Sequence, residues 1–348
     1  MTAPAMAAPV SSDGPRTAAP AFPRLVRAEF GRLAARRFTR LVLVLGAVGY
    51  LLAIGVIWHS HHRLDSADIA QATRQRDQLI AQFIDEADKC RQDAATDQQR
   101  QDCGQPPTAE EFPIDQFLRN HPFLPQQVDD YALAVGVATA AAAFLLAGTF
   151  IGAEWSSKNL IAWLFWEPRR LRVMAAKLLA LLSSVLVMAA LAQVVWFGVA
   201  KLLLHYRGLP VSTTGPLAAH FWSHVVEAQL RAAPLVLVTA LIGFSLASLM
   251  RNSAAALGVA FVYFAVVENV IRAWKPDLQP YLLTTNIAAW IANKGLTVYG
   301  KAVYNQQLGF VTPKEIHISN LHGGVTLLVF AAIATVAALA VFARRDLS

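Results

Sequence analysis

Few residues in this sequence are placed to do chemistry, and most of them are charges. Glu227 and Arg231 stand four apart, as do Glu268 and Arg272, each pair near the end of an apolar run. On a helix that spacing lets the two side chains meet, and a charge within a membrane span is costly unless it is paired or open to water. Two readings hold for each pair: an outer gate on a pathway, or a self-neutralising pair at headgroup level, which the position at run ends favours. Cys90 and Cys103 are the only two cysteines. They suit a disulfide that closes a small loop better than two free thiols, and without a ligand pattern around them they make poor metal ligands. His59, His61 and His62 follow directly on an apolar run. With no acidic or cysteine partner in register they read as a polar collar, and no metal site is expected.

The stretch Gly295 to Ala302 contains Gly295, Gly300 and Lys301 at the spacing of a phosphate-binding loop. It ends in Ala302, where Ser or Thr should reach Mg²⁺, and no apolar strand leads into it. No HExxH or GxSxG pattern occurs. The chain is therefore expected not to be an enzyme and to bind no cofactor itself.

The elements that must carry these residues are long and apolar. The chain has 348 residues, 55% hydrophobic and 15% charged, against about 25% charged in soluble domains. A membrane span needs roughly 20 apolar residues. Six runs qualify: 41–58, 131–151, 173–204, 226–249, 253–271 and 322–343. The expected fold class is an all-α integral membrane protein with six transmembrane helices. About 40 residues precede the first run, too many for a cleavable leader, so it reads as a retained span. Residues 1–21, rich in Ala and Pro, read as a disordered tail.

Charge sets the expected orientation. Arg24, Arg27, Arg32, Arg36, Arg37 and Arg40 precede the first span. Lys158, Arg169, Arg170, Arg172 and Lys177 lie around the second-to-third connection, Arg251 between the fourth and fifth spans, and Arg344 and Arg345 after the sixth, in the tail 344–348. By the positive-inside rule these segments and both termini are cytoplasmic. The net charge of +7 is spread around apolar segments and not gathered in one patch, so no nucleic-acid partner is expected. The opposite segment 59–130 carries 7 basic against 14 acidic residues; the loops 205–225 and 272–321 fall on the same side.

Residues 22–40 place Phe22, Leu25, Val26, Phe30, Leu33, Ala34 and Phe38 at helical spacing with arginines opposite. That pattern suits a helix lying on anionic lipid, or a cytosolic extension of the first span. In 59–130, Asp65–Cys90 reads as a helix capped by Asp65 or Ser66, giving a helical extracytoplasmic domain. In 272–321, the half-apolar Tyr281–Ile291 is too short to span and reads as a re-entrant or interfacial helix. Asn269 and Gln193, polar residues within spans, are expected to bond between helices.

Residues 152–172 join the second and third spans. A short helix is expected over Ser156–Trp166, broken at Pro168. Glu154, Lys158 and the arginines there would face a cytosolic partner. This segment resembles the permease subunits of ABC-2 type transporters. In that family a Glu ends the second span, a Gly-Thr-Leu-like element and Leu-Leu-x-x-Pro-x-x-Arg follow, and a Lys opens the third span. Glu154, Leu160, Leu164, Pro168, Arg170 or Arg172, and Lys177 stand in fitting places; Lys158 and Asn159 replace the usual Gly-Thr. The closing Phe342-Ala-Arg-Arg-Asp346-Leu is similar to the family's basic tail. The resemblance implies a bacterial plasma-membrane permease, a separate ATPase subunit that holds ATP and Mg, and a dimer with a second copy or a paralogue. It implies that Glu154, Lys158, Pro168, Arg169, Arg170, Arg172 and Lys177 couple the two subunits. The transporter is expected to be an exporter. The alternative, from another class, is a non-transporting membrane sensor or scaffold whose 59–130 domain binds a ligand or partner.

Overall fold

A computed structural model describes residues 22–94, 96, 103, 108–118, 121–157, 169–208, 217–292, 294–305 and 310–344. The expected helix at Ser156–Trp166, with Lys158 and Pro168, falls almost wholly outside the described residues, as do the tails 1–21 and 345–348.

Six helices are long and apolar enough to cross a membrane, so the chain is a multi-pass membrane protein. In chain order the described helices begin with α1 (Phe22–Ala35), α2 (Arg37–Ser60), α3 (Ser66–Asp93) and α4 (Pro125–Ser156). Then come α5 (Arg170–Arg207), α6 (Leu217–Met250), α7 (Ser253–Val262) and, after a π-helical turn at Tyr263–Val267, α8 (Glu268–Trp274). A short 3₁₀ turn (Pro276–Tyr281) precedes α9 (Leu283–Ile291), and α10 (Asn320–Arg344) closes the chain. The spans are α2, α4, α5, α6, the α7–α8 unit and α10. All six expected runs are present, and most of the helices overrun them. At 1.5 Å per residue α5 is about 57 Å long, against roughly 30 Å of hydrocarbon, so its ends project well beyond the bilayer core.

An even number of crossings brings both ends of the bundle's chain to one side, here called basal. There Trp155, ending α4, meets Phe342 of α10 edge-on at 5.9 Å, and the Arg251 guanidinium lies 4.9 Å from the Trp155 ring. The opposite, apical, end carries α3, α9 and the loops around them.

The core is built on α4 against α6. Small residues let these backbones approach, the usual means of packing helices in lipid. A side chain on Gly136 would lie 2.8 Å from Ala232, and one on Gly243 would lie 2.7 Å from the Phe144 carbonyl. Half of each of these two spans is buried, against 6% for α2. The first span is therefore an outrigger, held mainly near its ends.

The amphipathic segment is not one helix over 22–40. It breaks at Arg36, whose extended backbone (φ −67°, ψ 132°) separates α1 from α2. The helix α3 starts where expected: Asp65 is the cap, taking the Ser66 N–H at 2.7 Å, while Asp68 reaches back to the Asp65 N–H at 3.2 Å. Cys90 and Cys103 are joined in a disulfide, which closes the far end of α3 as expected. Phe83 of α3 stacks on Phe112 at 5.8 Å.

The apical segment 272–321 departs from an all-helical reading. Besides α9 it forms an antiparallel hairpin, β1 (Leu296–Asn305) and β2 (Phe310–Ile318), in register from Leu296↔Ile318 to Asn305↔Phe310. A bulge falls between Tyr299 and Ala302, opposite Lys314; Pro313, the partner of Ala302, stands beside it, where a missing N–H is tolerated. The Lys301 N–H donates to Asp277 Oδ1 at 3.0 Å and Gln279 Nε2 to the Tyr299 carbonyl at 2.8 Å, so the bulge is docked on the 3₁₀ turn. The phosphate-loop look-alike is thus a strand with a bulge. Its Gly295 (φ +85°) makes the turn into β1.

Candidate functional site

The residues most unusual for their surroundings form an ionic node at the basal end. On α1 the buried face is Leu25, Glu29 and Leu33, so a carboxylate occupies an apolar register position. On α5, Val173, Met174, Ala176 and Lys177 turn inward, and Lys177 is fully buried. Glu154, in the last turn of α4, is 3% exposed. An acid at a helix C-terminus opposes the helix dipole and needs cations nearby.

Lys177 supplies one. Its Nζ donates to Glu29 Oε2 at 2.8 Å and lies at ion-pair distance, 2.6 Å, from Glu154 Oε2. The second contact is Coulombic, its angle falling outside hydrogen-bond geometry. Arg36 supplies the other cation: Nη2 donates to Glu154 Oε1 at 2.7 Å, and Nη1 to the carbonyls of Phe150 at 2.7 Å and Thr149 at 3.3 Å. The helix break at Arg36 aims this side chain at the end of α4. Both cations lie against the Phe150 ring, at 4.9 Å for Arg36 and 5.4 Å for Lys177. Arg32, at the rim, completes Glu29 at 3.3 Å.

Two buried carboxylates are thus met by Lys177 and Arg36 inside and Arg32 at the rim, with Lys177 between acids that would otherwise repel. Such a node fixes an arrangement more surely than it adds stability, because desolvation offsets much of the Coulomb gain. It ties α1, α4 and α5 at one point, and the residues it joins flank the connection 157–169. Among the described residues no group of three or more His, Cys, Asp or Glu is placed to hold a metal.

The structure brings Glu154 and Lys177 together but buries both, so neither is a surface contact for a partner. In sequence they flank the connection between the second and third spans. Arg169 is exposed, and Arg170 and Arg172 are partly exposed in the first turn of α5. The sequence reading missed Glu29 and Arg36 as partners of Glu154 and Lys177. One signal was present: Glu29 is the only acid between Phe22 and Arg40, and it sits four residues from both Leu25 and Leu33.

At the apical end the two expected charge pairs form but differ. Glu227 and Arg231 meet at 2.6 Å, with Glu227 58% exposed. Glu268 is fully buried, and Arg272 reaches it at 3.4 Å. The Thr284 N–H points to Glu268 Oε1 at 3.2 Å, its hydroxyl also bonds Glu268, and Arg272 bonds the hydroxyls of Thr284 and Thr285. Glu268 thus satisfies donors in the first turn of α9 from another element. At the other end of α9, Trp290 Nε1 donates to the Arg231 carbonyl at 2.8 Å. The π turn before Glu268 leaves backbone acceptors loosened, and Asn269 Nδ2 donates to Phe264 and Ala265 carbonyls at 3.2 and 3.0 Å. Asn269 therefore serves its own helix, whereas Gln193 bonds across helices as expected, donating to the Ala132 carbonyl at 3.1 Å.

Among the described residues the histidines form no cluster for a metal. His61 is buried, its Nδ1–H donating to the Ile57 carbonyl at 2.8 Å, and its ring meets Phe123 edge-on at 5.2 Å. The chain matches no protein-family model, and no curated protein matches it significantly.

Proposed function

We propose that this chain is the membrane-spanning permease subunit of an ATP-driven transporter of the ABC-2 type, an exporter in a bacterial plasma membrane. The observation that carries the reading is the buried node Glu29–Lys177–Glu154–Arg36, which holds together the ends of the second and third spans on either side of their connection. In this reading the basal end faces the cytoplasm and a separate ATPase subunit, which holds ATP and Mg, docks on the 157–172 region. Movement imposed there passes through the node to α1, α4 and α5. Two copies of the chain, or one copy and a paralogue, would form the pathway, with lipid around them. The resemblance of Glu154, Pro168 and Lys177 to the family's motif supports the same role.

The test is co-purification with a nucleotide-binding subunit and ATP-dependent flux in reconstituted vesicles. Reversing charge at Arg169 and Arg170 (R169E, R170E) should abolish the association in a protein that still folds. Unaltered association would remove this surface as the docking site. A second reading, a membrane sensor or scaffold, draws on the disulfide-closed α3 and its exposed Phe83 and Ile84; absence of any ATP-dependent flux would favour it.

A further inference from the structure

A cleft of about 630 Å³ runs between the outrigger α2 and the faces of α4 and α5. Its wall includes Gly46, Gly49 and Tyr50 of α2 and Ala134, Ala138 and Thr139 of α4. In most membrane bundles small residues mark close helix approach. Here they do the reverse: a side chain built on Gly46 or Gly49 meets nothing within 4 Å. The small residues hold space open. The two hydroxyls in the wall are already satisfied, Tyr50 donating to the Ala192 carbonyl at 3.1 Å and Thr139 to the Val135 carbonyl at 2.7 Å. What remains is hydrocarbon, so the cleft has nothing to hold water.

The cleft lies between spans, where the surrounding medium is lipid. Its basal margin is charged. Arg40 stands three residues before Leu43 and seven before Ala47, both in the cleft wall, and therefore on the same face of the helix. It is exposed, its Nε–H donates to the Ala34 carbonyl at 3.2 Å, and among the described residues it has no carboxylate partner. An apolar groove with an exposed guanidinium at its margin complements a molecule with an acyl chain and an anionic head.

We propose that this cleft is a binding site for an anionic phospholipid of the basal leaflet, with an acyl chain between α2 and α4 and the phosphate at Arg40. The bound chain fills the gap that leaves α2 so little buried. The proposal does not depend on the transporter reading, since it needs only the six spans and the cleft.

The experiment uses the full chain, purified and incubated with micelles containing palmitoyl-oleoyl phosphatidylglycerol or the matching phosphatidylcholine. Retained lipid is counted by native mass spectrometry, which also reads oligomeric state. The wild type should retain phosphatidylglycerol on each chain. Filling the cleft with Gly49→Leu and Ala138→Leu, into space that is open, should lower its retention by about tenfold with the oligomeric state unchanged. Arg40→Gln should lower phosphatidylglycerol retention about fivefold, toward that of phosphatidylcholine. Undiminished phosphatidylglycerol retention in the filled variant would overturn the proposal. So would dissociation of an oligomer in that variant, which would make a second copy of the chain the occupant. If the filled variant does not survive extraction, R40Q decides: an unchanged lipid preference there overturns the site.

Discussion

The basal and apical ends of this bundle each bury a glutamate, and they neutralise it by different means. At the basal end Glu154 is met by Lys177 from α5 and Arg36 from the α1–α2 break, partners far away in sequence. At the apical end Glu268 has a helical neighbour, Arg272, at a long 3.4 Å with its side chain 38% exposed. Most of its close contacts are hydrogen bonds with Thr284, at the start of α9. The basal arrangement is an ionic clamp joining three elements. The apical one is a cap, in which a carboxylate serves orphan N–H and hydroxyl donors at a helix start. Removing charge should therefore matter most at the basal end, and removing an acceptor should matter most at the apical end.

The sharpest way to break this contrast is Lys177→Met. It leaves Glu29 and Glu154 facing each other without their shared cation and should destabilise the protein by about 3–5 kcal/mol, read as thermal unfolding in micelles. Adding Glu154→Gln to that variant should recover part of the loss. A Lys177→Met loss under about 1 kcal/mol would place the node at the level of an exposed pair.

A smaller effect is expected from Glu268→Ala, which leaves the donors of α9 unmatched at about 1–3 kcal/mol. Hydrogen exchange at the Thr284 amide should rise selectively. Glu268→Gln keeps an acceptor and should lose less; if transport is also unchanged in a folded Glu268→Gln protein, an outer-gate role for this pair is excluded. The smallest effect belongs to Glu227→Gln. That pair is exposed and four apart on one helix, so the change should stay within about 0.3–0.5 kcal/mol. An effect as large as that of Glu268→Ala would mean that the two apical pairs act as one unit.

The expectations that held were those set by neighbours along the chain. The spans follow from run length alone, because a helix must hide about 20 residues of backbone from lipid wherever it packs. Asp65 caps α3 because an acid with Asp68 three positions on can satisfy the first turn locally. The short helix after the fifth span was visible in Tyr281–Ile291. The hairpin was not: β1 carries Gly300 and Lys301 at its bulge, and its strands are stabilised by each other and by Asp277, partners that no local pattern announces.

By itself, then, the sequence determined six crossings, a basic basal side, the α3 cap and a cysteine pair close enough along the chain to bond. Each depends on residues within a few turns of one another. Only the tertiary structure decided that Glu154 and Lys177 face inward to Glu29 and Arg36, that Glu268 belongs to α9, and that the glycines of α2 border a void. Those facts depend on which helices pack together. A charge in an apolar register is costly until a distant partner arrives, and its local sequence does not name that partner.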